Sequence, residues 1–97
     1  MKTKVINITN NNGNKAPNQF ILSNGNTIYF QSYRTTIAKY EIRGDKLTLD
    51  HYTNNMSRTT AKYLYIFVNN YCSSANVLRC AKDVREYNKQ HKTTNLN

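Results

Sequence analysis

A chain of 97 residues with 14 Lys and Arg against 5 Asp and Glu, net charge +9, has the length of one domain and a strong positive field. Hydrophobic residues make up 38%, with eight Tyr, three Phe and no Trp. That content excludes wholesale disorder, no apolar run approaches membrane-spanning length, and the opening MKTKVINITN lacks the apolar centre of a signal peptide.

The charge points to nucleic acid, an anionic membrane or an acidic protein surface. The alternative is the ordinary basicity of small soluble proteins. The excess of Asn, as in NNNGN at Asn10–Asn14, reads either as functional polar loops or as codon drift in a low-GC genome.

Residues 2–8, KTKVINI, are rich in β-branched side chains and read as a strand. TNNNGNKAPN is a turn by its Asn, Gly and Pro content. QFILS (Gln19–Ser23) is a second strand, and NGN (Asn24–Asn26) signals a type I′ hairpin into TIYFQSY (Thr27–Tyr33). TTIAKYEI (Thr35–Ile42) alternates again, and RGDK (Arg43–Lys46) turns it into LTLD (Leu47–Asp50).

At Ser57 the apolar period switches from two to about 3.6. Thr60, Leu64, Phe67 and Val68 share one side of a helix, and Arg58, Lys62 and Tyr65 the other, behind Ser57 as N-cap. A second helix is expected from near Ser73 or Ser74. It would place Val77, Cys80, Ala81, Val84 and Tyr87 on one face and Arg79, Lys82, Arg85 and Lys89 on another, with Leu78 an exception. The tail HKTTNLN adds a short strand or frays. The expected fold is α+β in a single domain, 1–97: an antiparallel meander of about five strands over 2–50, then two helices over about 57–90 packed on one face.

Two phrases, SYRTTIAKY (Ser32–Tyr40) and SRTTAKY (Ser57–Tyr63), nearly repeat. The first alternates as a strand. The second lacks the equivalent of Ile37 and falls at helical spacing, so the pair is not a structural repeat. Together they resemble a family of small proteins of bacteriophages and other mobile elements, with a strand phrase S-Y-x-T-x-I/V-A and a helix-opening phrase S-x-T-T-x-K/R-H/Y. Here these are Ser32-Tyr33-Arg34-Thr35-Thr36-Ile37-Ala38 and Ser57-Arg58-Thr59-Thr60-Ala61-Lys62-Tyr63. Tyr63 stands where many relatives have His, which removes any role for an imidazole there. The resemblance implies a phage or mobile-element origin and action in the cytoplasm of a bacterial host. It implies no activity.

Chemistry of the usual kinds is missing. Glu41, Asp45, Asp50, Asp83 and Glu86 form no spaced acid/base pair, and Asp83 and Glu86 read as ion-pair partners of neighbouring cations. Asp50-His51 begins a catalytic idea that His91 does not complete. No phosphate loop or zinc spacing is present. Eight residues of helix would hold Cys72 and Cys80 about 12 Å apart, too far for a disulfide, so both read as reduced thiols. We therefore expect a non-enzyme without cofactor.

The positive signal is basic residues interleaved with tyrosine. Arg34, Arg58, Lys62, Arg79, Lys82, Arg85 and Lys89 are the candidate nucleic-acid or polyanion contacts. Free amides at the first turn after Ser57, beside Arg58, favour an anion such as a phosphate. Tyr33 and Tyr63 read as core. Three functions remain open. One is a nucleic-acid-binding phage accessory protein. Another is an inhibitor of a host defence system, of anti-CRISPR or anti-restriction type, acting on an acidic or nucleic-acid-loaded protein complex. The last is a minor virion assembly protein.

Overall fold

The computed structural model describes residues 4–9, 12–72 and 78–97. Five strands, β1 (Lys4–Thr9), β2 (Lys15–Asn24), β3 (Thr27–Ser32), β4 (Thr35–Glu41) and β5 (Lys46–Leu49), pair antiparallel in chain order. A 3-10 turn (His51–Asn55), α1 (Arg58–Tyr71) and α2 (Ala81–Gln90) follow. The architecture is the expected α+β meander with two helices.

Strand register decides which side chains meet the helices. Ile21, Phe30, Ala38 and Leu49 stand opposite one another across β2 to β5, and all four are buried. Phe67 of α1 stacks on Phe30 with ring centroids 5.8 Å apart. Leu64, Phe67 and Val68 are fully buried, and Thr60 lies with them, as their spacing requires. Complete burial of such side chains contributes about 1.5–3 kcal/mol each before the ordering entropy is subtracted. The opposite face carries Leu22, Tyr29, Lys39 and Thr48, all half-buried.

Three local readings are corrected. First, β2 starts at Lys15, not Gln19, and the described part of the turn before it is Asn12–Asn14. Asn7 pairs with Phe20 and Thr9 with Lys15, so Ala16–Gln19 oppose Ile8 alone. Within this wide bulge Pro17 owes no ladder hydrogen bond, which is how the strand tolerates it. Asn18 takes φ 61°, and its carbonyl accepts the Tyr33 N–H at 2.6 Å. Second, the hairpin after β2 turns on Gly25 and Asn26, and only Gly25 has positive φ (63°). That is the Gly-X pattern rather than the Asn-Gly turn expected. Third, strict alternation fails in β4. Phe30 pairs with Ala38 but Gln31 with Thr36, so Ile37 is an extra residue. Ile37 and Ala38 are both fully buried. The single letter that separates the two near-identical phrases is therefore a β-bulge, and its carbonyl accepts the Asp50 N–H at 2.8 Å.

The second helix also begins later than the periodicity suggests. The expected start at Ser73 or Ser74, and Val77, lie outside the described residues, but Leu78 and Arg79 are non-helical and α2 opens at Ala81. Asp83 in the first turn accepts the Arg79 N–H at 2.9 Å, closing the helix start from inside. Leu78, the exception on the expected wheel, is 3% exposed and plugs the core, while its carbonyl accepts Asn69 Nδ2 at 3.1 Å.

The tail forms a short parallel bridge, Thr94 to Asp50. Buried Asp50 holds it: Oδ1 accepts the Leu96 N–H at 2.7 Å and Asn97 Nδ2 at 3.1 Å, while Oδ2 accepts the Tyr52 N–H at 2.9 Å. The outer carbonyls of β5 are thereby taken, Leu49 by the Thr94 N–H and Leu47 by the Tyr87 hydroxyl.

Cys72 and Cys80 are both free. Because α2 starts only after Cys80, the helical distance argument does not apply to them. Cys80 is exposed. Cys72 packs against the core, and burial, with Asp45 adding, pushes its thiol up from 9.0 to about 12. The fold thus favours the neutral thiol. That contribution to stability is complete below about pH 9 and is lost as pH rises through about 12. Burial raises Tyr87 in the same sense.

Two outcomes follow. Under native conditions an alkylating reagent should modify Cys80 much faster than Cys72, and Cys72→Ala should reduce the fall in melting temperature on going from neutral to alkaline pH. Deleting Ile37 would leave Ala38 opposite Phe30 but remove a fully buried side chain and the carbonyl that accepts the Asp50 N–H, and should cost about 2–5 kcal/mol. Ile37→Val should cost only about 0.5–1.5 kcal/mol in denaturant titration.

Candidate polyanion-binding groove

The two phrases meet in space. Ser32, at the end of β3, shares a hydrogen bond of 3.2 Å between its hydroxyl and that of Thr60. Ser57 Oγ accepts the Thr60 N–H at 3.2 Å and donates to Thr60 Oγ1 at 3.1 Å. Ser57 is the expected N-cap, and the second Thr of the phrase ties the helix start to the sheet. Gln19, opposite Ser32 on β2, is 1% exposed, and its Oε1 has no partner among the described residues. The paired tyrosines divide: Tyr63 is buried with Lys62 Nζ 5.4 Å from its ring centre, whereas Tyr33 is 59% exposed at φ 56° in the β3–β4 turn.

This anchoring leaves Arg58 and Lys62 exposed on the side of α1 that faces α2. Between the helices lies a groove of about 540 Å³. One wall is Arg58, Ala61, Lys62 and Tyr65 of α1, and the other is Ala81, Val84 and Arg85 of α2. Thr53 through Ser57 close one end. The 3-10 segment is held against α2 by Asn88, whose Nδ2 donates to Thr53 Oγ1 and Asn54 Oδ1, each at 3.1 Å. The lining holds three cations and no acid. None of the three forms an ion pair among the described residues. Tyr65 is half-buried on the wall, and burial, then Cys80 and Asp83, raise its hydroxyl above the usual range against the opposing pull of Arg85.

The other predicted contacts fall elsewhere. Arg79 precedes α2 and is not on its face, because the helix starts two residues later; its Nε lies 3.9 Å from Asp83. Lys89 Nζ lies 4.0 Å from Glu86. These exposed pairs are worth little energy but offset charge locally. Lys82 is exposed on α2 outside the groove, and Arg34 sits in the β3–β4 turn. The expected common face of Arg79, Lys82, Arg85 and Lys89 thus divides, and of the seven candidate cations only Arg58, Lys62 and Arg85 line the groove. The sequence reading missed Asn55 and Met56, the last residue of the 3-10 turn and its C-cap, where no apolar periodicity marks them. Tyr65 was visible as a companion of Arg58 and Lys62.

Asp50 and His51 do not pair. The carboxylate is spent on backbone amides, and His51 Nδ1 meets Thr93 Oγ1 at 2.6 Å. Among the described residues no three His, Cys, Asp or Glu come together as metal ligands, and no helix is long and apolar enough to cross a membrane.

A family model, described as a family of unknown function (DUF8033), matches residues 3–86. The chain belongs to that family. No curated protein and no solved structure matches it. The matched span includes both phrases, the Ser32–Thr60 contact and all three groove cations.

Ser57→Ala should lower stability by about 1 kcal/mol. A double-mutant cycle on Ser32→Ala and Thr60→Ala should return a coupling of about 0.5–1.5 kcal/mol. Additive single losses would show that the two phrases fold independently.

Proposed function

We propose that this chain is a non-enzymatic accessory protein, encoded by a phage or mobile element and acting in the bacterial cytoplasm, that binds nucleic acid through the α1–α2 groove. The observation that carries the reading is the groove lining: Arg58 and Lys62 face Arg85 across an apolar floor, with no acid between them. Three unpaired cations in a concavity focus a field that flat, alternating surface charges do not. The net charge of +9 extends that field, and Lys82 continues it along α2. The origin and location rest on the resemblance of the two phrases to phage and mobile-element proteins.

Binding of DNA or RNA should weaken with salt by about 0.7–0.9 log units per phosphate contact for each tenfold rise. Replacing Arg58, Lys62 and Arg85 with Gln should flatten that slope and change stability by less than about 1 kcal/mol, since exposed charges contribute little. Arg79→Gln, which removes a cation already held by Asp83, should change the slope much less. Absence of binding to either nucleic acid at about 50 mM salt would overturn the reading. Capture of polyglutamate instead would direct the same groove to an acidic protein, and so to an inhibitor of a host defence complex.

A further inference from the structure

Resting on the nucleic-acid reading, we propose that the groove takes an unpaired base of a single strand and not the flank of a duplex. The shape argues first. A duplex offers convex phosphate ridges, which suit a flat or convex basic surface lying along a groove of the DNA. Here the cations stand at the two walls of a pocket, and what lies between them is mostly apolar: Met56, Ala61, Tyr65, Ala81 and Val84. The volume of about 540 Å³ falls in the range of sites that enclose one small ligand.

The chemistry agrees with the shape. A base needs a flat apolar surface, a group for its polar edge, and cations for the phosphates on either side. Tyr65 and Met56 supply the first. Asn55 supplies the second: it is exposed at the closed end of the groove, and its carboxamide makes no hydrogen bond among the described residues. A carboxamide can donate and accept at once, as base edges require. Arg58 and Lys62 on one wall and Arg85 on the other supply the third. An acidic peptide would use the cations but leave the Asn55 carboxamide and the ring of Tyr65 without matching groups.

Three probes test this by fluorescence anisotropy at about 50 mM salt: a short oligothymidylate, an oligomer of equal length whose sugars lack bases, and a duplex of equal length. The oligothymidylate should bind at least tenfold more tightly than the abasic oligomer and the duplex, the loss expected for one stacked base. Tyr65→Leu and the exposed Asn55→Ala should each weaken oligothymidylate binding, the former by about tenfold, and leave abasic and duplex binding unchanged. Circular dichroism melting confirms that both variants are folded, and the comparison of base-bearing with abasic oligomer requires no variant. Equal affinity for the base-bearing and abasic oligomers overturns the inference while leaving phosphate-driven binding intact. Tighter binding of the duplex overturns it too. Failure to bind any of the three removes the nucleic-acid reading itself.

Discussion

The hydroxyl chain Ser57–Thr60–Ser32 fixes the helical layer on the sheet. Thr60 is 3% exposed and Ser32 4%, so neither hydroxyl can turn to water if the other moves away. A buried hydroxyl without a partner costs about 1–3 kcal/mol, about twice the net worth of the bond itself. The contact therefore acts as a register lock. Sliding α1 by one turn would keep apolar residues inward but would break the Ser32–Thr60 bond, and Thr60 would keep only its local bond to Ser57. From this fixed start the helical period carries Leu64, Phe67 and Val68 onto the sheet, with Phe67 over Phe30. It also turns Arg58, Lys62 and Tyr65 toward α2. Core and groove are two faces of one helix placed by one contact.

The second anchor is Asp50. Its carboxylate gathers amides from the 3-10 turn and from the tail, and charge-assisted bonds of this kind are stronger than neutral ones. The 3-10 turn is what closes the groove. The end that presents Asn55 and Met56 is thus held from below by Asp50 and from the side by Asn88. Asn88 Oδ1 is buried without a partner among the described residues, so this side contact is only half-satisfied.

The sequence showed what depends on local period and little of what depends on convergence. α1 was legible because Ser57 caps and the apolar spacing is unambiguous over fourteen residues. The start of α2 was not, because helix-compatible residues precede it, Cys80 offers no side-chain cap and the closing bond comes from Asp83 behind. The early start of β2 was hidden by Pro17 and Asn18, which read as turn residues and do turn, inside a bulge. The extra Ile37 was visible as a difference between two phrases, yet only pairing showed that it re-phases β4. Of the groove, the charges could be read but not their partition. Ion pairs and a helix boundary remove Arg79 and Lys89 from the common surface, and neither effect is written in a charge count.

The capped state of β5 has a consequence for how copies of this protein can associate. Backbone-driven polymerisation needs two open sheet edges, so that each copy can accept one neighbour and offer itself to the next. Here the outer carbonyls of β5 are already held by Tyr87 and the tail, while among the described residues the sheet ends at β1, where Val5 is 58% and Ile6 50% exposed. Two copies that join at β1 use up the edge that, among the described residues, carries no such contacts. Edge pairing of the folded chain is thereby directed to β1, and a neighbour that paired through β5 would first have to displace both the tail and the Tyr87 hydroxyl from its carbonyls.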